Sequence, residues 1–273
     1  MRRLVAFAAT AIAALALAGS ASPLIGGSPT GTSQYTNVGA FGVVINGTFF
    51  EVCSGTLIEP NVVLTAGHCT VFFEELETRA TNPLNVVFTL DPSPTASSSF
   101  YDAIEFFTHP DYVDELRGNS KCGLFGQCTT DVGLVELATA SSVAPAELAP
   151  LDYVDTLDLK TQLFTIVGYG VEGFANANTA LGPNGGTRKF GTFQAIPGQD
   201  VTSDLFLKLS GRQFDTETCF GDSGGPVFAN GYLVAVVSFG QSWVCASMGY
   251  YTRVDVESVS TWIATTIAEI NSD

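Results

Sequence analysis

Three short segments carry groups suited to nucleophilic acyl transfer. In Gly221-Asp222-Ser223-Gly224-Gly225-Pro226 a serine hydroxyl stands among glycines. Glycine accepts backbone conformations that other residues resist, so such a turn can aim two amides at one point. The amides of Gly221 and Ser223 would then hold the oxyanion of a tetrahedral intermediate. Asp222 has no local reason to be acidic. In Leu64-Thr65-Ala66-Gly67-His68-Cys69 stands one of only two histidines in the chain. Imidazole is the side chain that most often serves as a general base near neutral pH. In Thr130-Asp131-Val132-Gly133-Leu134-Val135 a single carboxylate enters an apolar run. Such an acid is buried and needs a partner.

These groups lie far apart along the chain, so a rigid scaffold must gather them. Candidate strands cover residues 40–45, 56–58, 61–65, 86–90, 103–108, 132–136, 162–167, 191–196, 205–209, 226–228, 232–237 and 250–254. They are rich in Val, Phe, Tyr, Thr and Ile and are separated by Gly, Asn, Pro and Ser clusters, which favours a β-sandwich or a pair of barrels. Only residues 256–270 read as helix. There Val259, Trp262, Ile263, Ile267 and Ile270 recur at helical intervals, with Asp255 or Ser258 as the expected N-cap. Residues 91–99 and 173–189 lack apolar periodicity and read as surface loops; residues 143–158 read as a link between two halves.

Composition bounds the partners. The chain has 273 residues, 46% of them hydrophobic, enough to fill a sizeable core. Eleven Lys+Arg against 27 Asp+Glu give a net charge of −16. That balance argues against phosphate backbones and anionic membranes as partners. The start is an address. Met1-Arg2-Arg3, an apolar run to Leu17 and Ala18-Gly19-Ser20-Ala21 read as a secretory signal peptide over residues 1–21. The run falls short of the ~20 apolar residues a membrane span needs. A secreted chain enters an oxidising compartment, where six cysteines can pair. Asn46-Gly47-Thr48 is a glycosylation sequon.

From about Leu24 to Ile270 the chain resembles the chymotrypsin/trypsin-type serine endopeptidases. The resemblance rests on TAGHC, TDVGLVEL and GDSGGP in the order His, Asp, Ser, which differs from that of subtilisins and α/β-hydrolases. The family more often has Ala at Gly67 and Ile-Ala at Val132-Gly133, departures that remove no functional group. The resemblance implies an all-β fold of two packed six-stranded antiparallel barrels with a C-terminal helix and the active site between them. The domain at residues 24–273 would divide into barrels at about 24–142 and 159–255 and a helix at 256–270. Ser223 would be the nucleophile, His68 the base and Asp131 the group that orients it. His109, in a His-Pro turn common in that family, would have no catalytic role.

The same resemblance places Glu217 at the floor of the primary pocket, with Gly240 and Gly249 as small wall residues. Ser238-Phe239-Gly240 would pair with the substrate backbone, and Phe239 would keep an aromatic wall. A carboxylate floor favours Arg or Lys. Glu is one methylene longer than Asp, so a basic and a non-tryptic preference both stay open. On a basic preference, Arg188-Lys189 is a candidate self-cleavage site. Leu24-Ile25-Gly26-Gly27 resembles the family's mature start, whose freed amine pairs with the acid before the nucleophile, here Asp222; residues 22–23 would be a short propeptide. Cys53–Cys69 and Cys219–Cys245 are the disulfides implied. Cys122 and Cys128 are left to close a small loop, a metal site being the alternative. The expected partners are protein or peptide substrates and protein protease inhibitors. Neither a cofactor nor a metal is called for, and the chain is expected to be a monomer. A silent binding or adhesion module and an esterase are the competing readings.

Overall fold

The Val-, Phe- and Thr-rich runs form strands, as branching at Cβ favours. The computed structural model describes residues 24–78, 84–112, 130–170, 186–196, 205–240, 245 and 248–272. The expected signal peptide and propeptide, and Cys122 and Cys128, lie outside the described residues. A two-residue strand, β1 (Ser28–Pro29), precedes β2 (Val38–Ile45), β3 (Thr48–Glu59), β4 (Val62–Thr65), helix α1 (Gly67–Thr78), β5 (Val86–Thr89), β6 (Tyr101–Thr108) and β7 (Gly133–Leu137). Then come β8 (Leu163–Gly168), β9 (Lys189–Ala195), β10 (Phe206–Ser210), β11 (Pro226–Ala229), β12 (Tyr232–Gly240), β13 (Gly249–Arg253) and helix α2 (Glu257–Ile270).

Strands β2, β3, β4, β7, β6 and β5 close into one antiparallel barrel. Strands β9, β10, β13, β12, β11 and β8 form the second, closed by the pairing of β8 with β9, and β1 adds to β9. Closure leaves neither barrel an unpaired edge. Phe41, Phe73 and Phe88 fill the first barrel, and Phe164, Phe193 and Tyr251 the second.

Helix α2 locks the barrels together. Val259, Ile263 and Ile270 share one apolar cluster with Ile58, Val62, Leu64 and Leu134 of the first barrel and Leu233 and Val236 of the second. Each such fully buried side chain contributes about 1.5–3 kcal/mol. Neither expected N-cap side chain caps this helix: Val256 is the N-cap residue. Asp255 is taken instead by Arg253 and by the Val154 amide.

Two readings of the sequence are corrected. Residues 67–78 are helical, although their first half is rich in β-branched and aromatic residues that weaken helix propensity. Packing decides it, with Cys69, Thr70, Val71 and Phe73 buried. The Arg188-Lys189 pair is not on a surface loop. Lys189 opens β9, and Arg188 is only 1% exposed. The Arg188 guanidinium donates to Val38 O at 2.8 Å and Leu90 O at 3.1 Å in the first barrel, and to Thr30 Oγ1 and Gly31 O. Beside it, the Tyr169 hydroxyl meets Val38 O at 3.2 Å and Asp91 O at 2.9 Å. A cation this buried and this bonded is a buttress between barrels, out of reach of a protease.

Candidate active site

His68 is the second residue of α1, directly after β4, and the disulfide Cys53–Cys69 ties that helix start to β3. Asp131 sits just before β7, which pairs with β4 through Thr65 and Gly133. This pairing brings acid and base together. Asp131 Oδ1 accepts the His68 backbone N–H at 2.8 Å, and Oδ2 meets His68 Nδ1 at 2.8 Å. The Ser238 hydroxyl donates to the same Oδ2 at 2.5 Å. Burial would raise the Asp131 pKa, but the His68 charge and the hydrogen bonds from His68 and Ser238 outweigh it and hold the carboxyl below its ordinary range. An ionised carboxylate only accepts, so Nδ1 carries the hydrogen and Nε2 presents its lone pair.

Ser223, from the second barrel, packs its backbone against the strand and the disulfide beside this pair. The Ser54 amide donates to Ser223 O at 2.8 Å, and Cys69 Sγ lies 3.8 Å from the same oxygen. His68 has a ring nitrogen within 4.8 Å of the Cys53 and Cys69 sulfurs. Those three residues have metal-ligating atoms, but the two sulfurs are bonded to each other, so they form no metal centre. The turn of residues 221–226 uses glycine where its geometry requires it. Gly224 has φ +78°, and a Cβ there would stand 2.0 Å from Thr65 Oγ1. The Asp222 and Gly224 amides are engaged by Cys219 O and Val237 O, at 3.1 and 2.8 Å. The amides of Gly221 and Ser223 have no hydrogen-bond partner among the described residues.

Asp222 is fully buried, and its two oxygens accept the Gly170 and Cys219 amides, both at 2.9 Å. Burial pushes its pKa up to about 7 despite those bonds. Leu24 is fully buried in the second barrel's core, and Ile25 forms an antiparallel bridge with Glu217, whose amide donates to Ile25 O at 3.0 Å. Glu217 Oε1 is buried without a hydrogen-bond partner among the described residues, and burial, partly offset by Arg212, pushes that carboxyl up to about 7. Gly240 and Gly249 are paired in β12 and β13, and a Cβ on Gly249 would lie 2.4 Å from the Tyr251 hydroxyl. Phe239 stacks on Tyr250 at 4.6 Å and meets Phe206 edge-on. The disulfide Cys219–Cys245 joins the turn holding Asp222 to the segment after β12.

His109 stands apart from these groups. It is buried against Trp262 of α2 at 5.0 Å, and burial lowers its pKa. Three contributors were not singled out for their positions here. Ser54 Oγ donates to Gly221 O at 2.8 Å, Ser238 Oγ holds Asp131, and the buried Glu51 carboxyl lies against Gly221. Gly133 is explained as well: a Cβ there would meet Thr70 Cγ2 at 2.5 Å, so Thr70 fills the space an alanine would need.

A family profile described as Trypsin matches residues 26–263. The chain belongs to the trypsin family. A trypsin of Saccharopolyspora erythraea is 29% identical over 75% of this chain and 82% of its own length. A trypsin of Phaedon cochleariae is 30% identical over 74% of each chain. The Manduca sexta protein named "Trypsin, alkaline C" is 29% identical over 97% of this chain and 99% of its own. As a trypsin-family member the chain is a serine-type endopeptidase acting on proteins or peptides, and the two-barrel fold agrees.

Proposed function

We propose that this protein is a secreted endopeptidase that cleaves after Arg or Lys through Ser223, His68 and Asp131. The observation that carries the reading is the buried Asp131 carboxylate, held by both His68 and Ser238, with the Ser223 backbone against the disulfide beside His68. Ser223 Oγ attacks the scissile carbonyl while His68 Nε2 takes its proton. His68 then protonates the departing amine, and a water activated the same way hydrolyses the acyl-enzyme. Asp131 keeps the imidazole in the useful tautomer and stabilises its cation; this follows the general template for such triads. The amides of Gly221 and Ser223 bind the oxyanion, where one donor is worth ~10²–10³ in rate.

Glu217 reads the basic side chain, and its orphaned buried oxygen supports that role. The apolar start at residues 4–17 supports secretion, and removal of residues 1–23 would free the Leu24 amine to pair with Asp222. Fluorophosphonate should label the wild type and not Ser223→Ala. A peptide-library digest should then cut after Arg and Lys, and sequencing of the active protein should begin at Leu24. Labelling that survives in Ser223→Ala would sink the mechanism, and cuts spread evenly over residue types would sink the specificity.

A further inference from the structure

Glu51 belongs to β3, between Phe50 and Val52, and is 5% exposed. Its carboxyl lies directly on the oxyanion turn. A Cβ on Gly221 would stand 2.5 Å from Glu51 Oε1 and 2.9 Å from Oε2. Strand alternation would send Glu51 and Ser54 to opposite faces, but the β2–β3 register shifts between Phe41 and Gly42 and skips Val52. That extra residue turns Glu51 onto the face of Ser54. Both therefore reach Gly221, Ser54 through its carbonyl and Glu51 against its Cα side.

We propose that Glu51 is a positioning residue of the oxyanion hole, wedged under Gly221 in a chamber it shares with the Asp222 carboxyl. This rests on the reading of the Gly221 amide as an oxyanion donor. Asp222 receives an N–H on each oxygen, whereas Glu51 Oε1 has no hydrogen-bond partner among the described residues. Two buried carboxyls side by side do not both ionise readily, and the hydrogen bonds assign the charge to Asp222. Burial first, and the Asp222 charge second, hold Glu51 well above the ordinary carboxylate range. Glu51 thus acts as a neutral acid. Among the described residues the other groups facing it are the Tyr169 hydroxyl after β8 and the Arg188 cation hydrogen-bonded to it; on the proposed activation, the freed Leu24 amine would add a cation at Asp222. If Glu51 ionised, a second negative charge would lie against the amide that must receive the oxyanion, and kcat would fall.

The test follows kcat and KM across pH for wild type, Glu51→Gln and Glu51→Ala, with active sites counted by fluorophosphonate. Glu51→Gln keeps the wedge and cannot ionise. It should match wild type near neutrality and keep its kcat at alkaline pH where wild type declines. Glu51→Ala should lose about tenfold in kcat with KM nearly unchanged, part of the ~10²–10³ that a lost oxyanion donor costs. A Glu51→Gln profile superimposable on wild type overturns the proposal, and it decides the matter alone if Glu51→Ala does not fold. So does wild-type kcat in Glu51→Ala. A wild type that takes no label defeats the triad reading itself, an outcome distinct from these.

Discussion

If Glu217 reads the substrate's basic side chain, its carboxyl makes that specificity pH-dependent by an amount that can be worked out in advance. Its pKa is raised to about 7, so it is charged above that value and neutral below it. Roughly 10% is ionised at pH 6 and roughly 90% at pH 8, from the ordinary titration of a single acid. If only the carboxylate holds a substrate cation productively, kcat/KM for an Arg substrate carries that same factor, because kcat/KM reports on the free enzyme. His68 protonation acts on every substrate alike. The ratio of kcat/KM for an Arg peptide to that for the matching Leu peptide removes it, and that ratio should climb about tenfold from pH 6 to pH 8. In Glu217→Gln the ratio should be flat and lower by roughly 10- to 100-fold, the ~1.5–3 kcal/mol of a hydrogen bond to a charged group. A wild-type ratio that does not move between pH 6 and 8, or an Arg preference kept by Glu217→Gln, would refute the reasoning.

Arg188→Met keeps most of the buried stem but strips the N–H donors that serve Val38, Leu90 and Gly31. Val38 O keeps the Tyr169 hydroxyl and Gly31 O keeps the Thr30 hydroxyl, so the orphaned carbonyl is Leu90 O; that costs about 1–3 kcal/mol, the urea midpoint should fall, and a midpoint within about 0.2 M of wild type would contradict the buttress. Gly133→Ala should lose about 1–3 kcal/mol through overpacking against Thr70, with Thr70→Ser recovering much of it in a double-mutant cycle. Thermal melting of the four proteins reads this out, and an unharmed Gly133→Ala would show that the space is not filled as described.

The strands were legible because their β-branched and aromatic runs are long compared with the turns between them. Trp262, Ile263 and Ile270 gave α2 the same clarity. Helix α1 was not legible, since Val71, Phe72 and Phe73 lower its helix propensity and only burial against the first barrel decides it. Arg188 misled for a related reason: glycine-rich surroundings suggest solvent, and nothing local announces that carbonyls from the other barrel await its guanidinium. The lone acid at Asp131 was noticed within an apolar run. Glu51, between Phe50 and Val52, satisfies the same criterion and could have been found by it. What no pattern of alternation reveals is the skipped Val52, so the convergence of Glu51 and Ser54 on Gly221 is visible only once β2 and β3 are paired.

The bridge between Ile25 and Glu217 joins two events that are usually considered separately. On the activation and specificity proposed above, the segment that settles inward on leader removal is hydrogen-bonded to the residue that would meet the substrate. Thermodynamic linkage is reciprocal. Under that proposal, whatever occupies the pocket and steadies Glu217 also favours the seated N-terminal segment, and trimming the leader should sharpen selectivity as well as raise the rate.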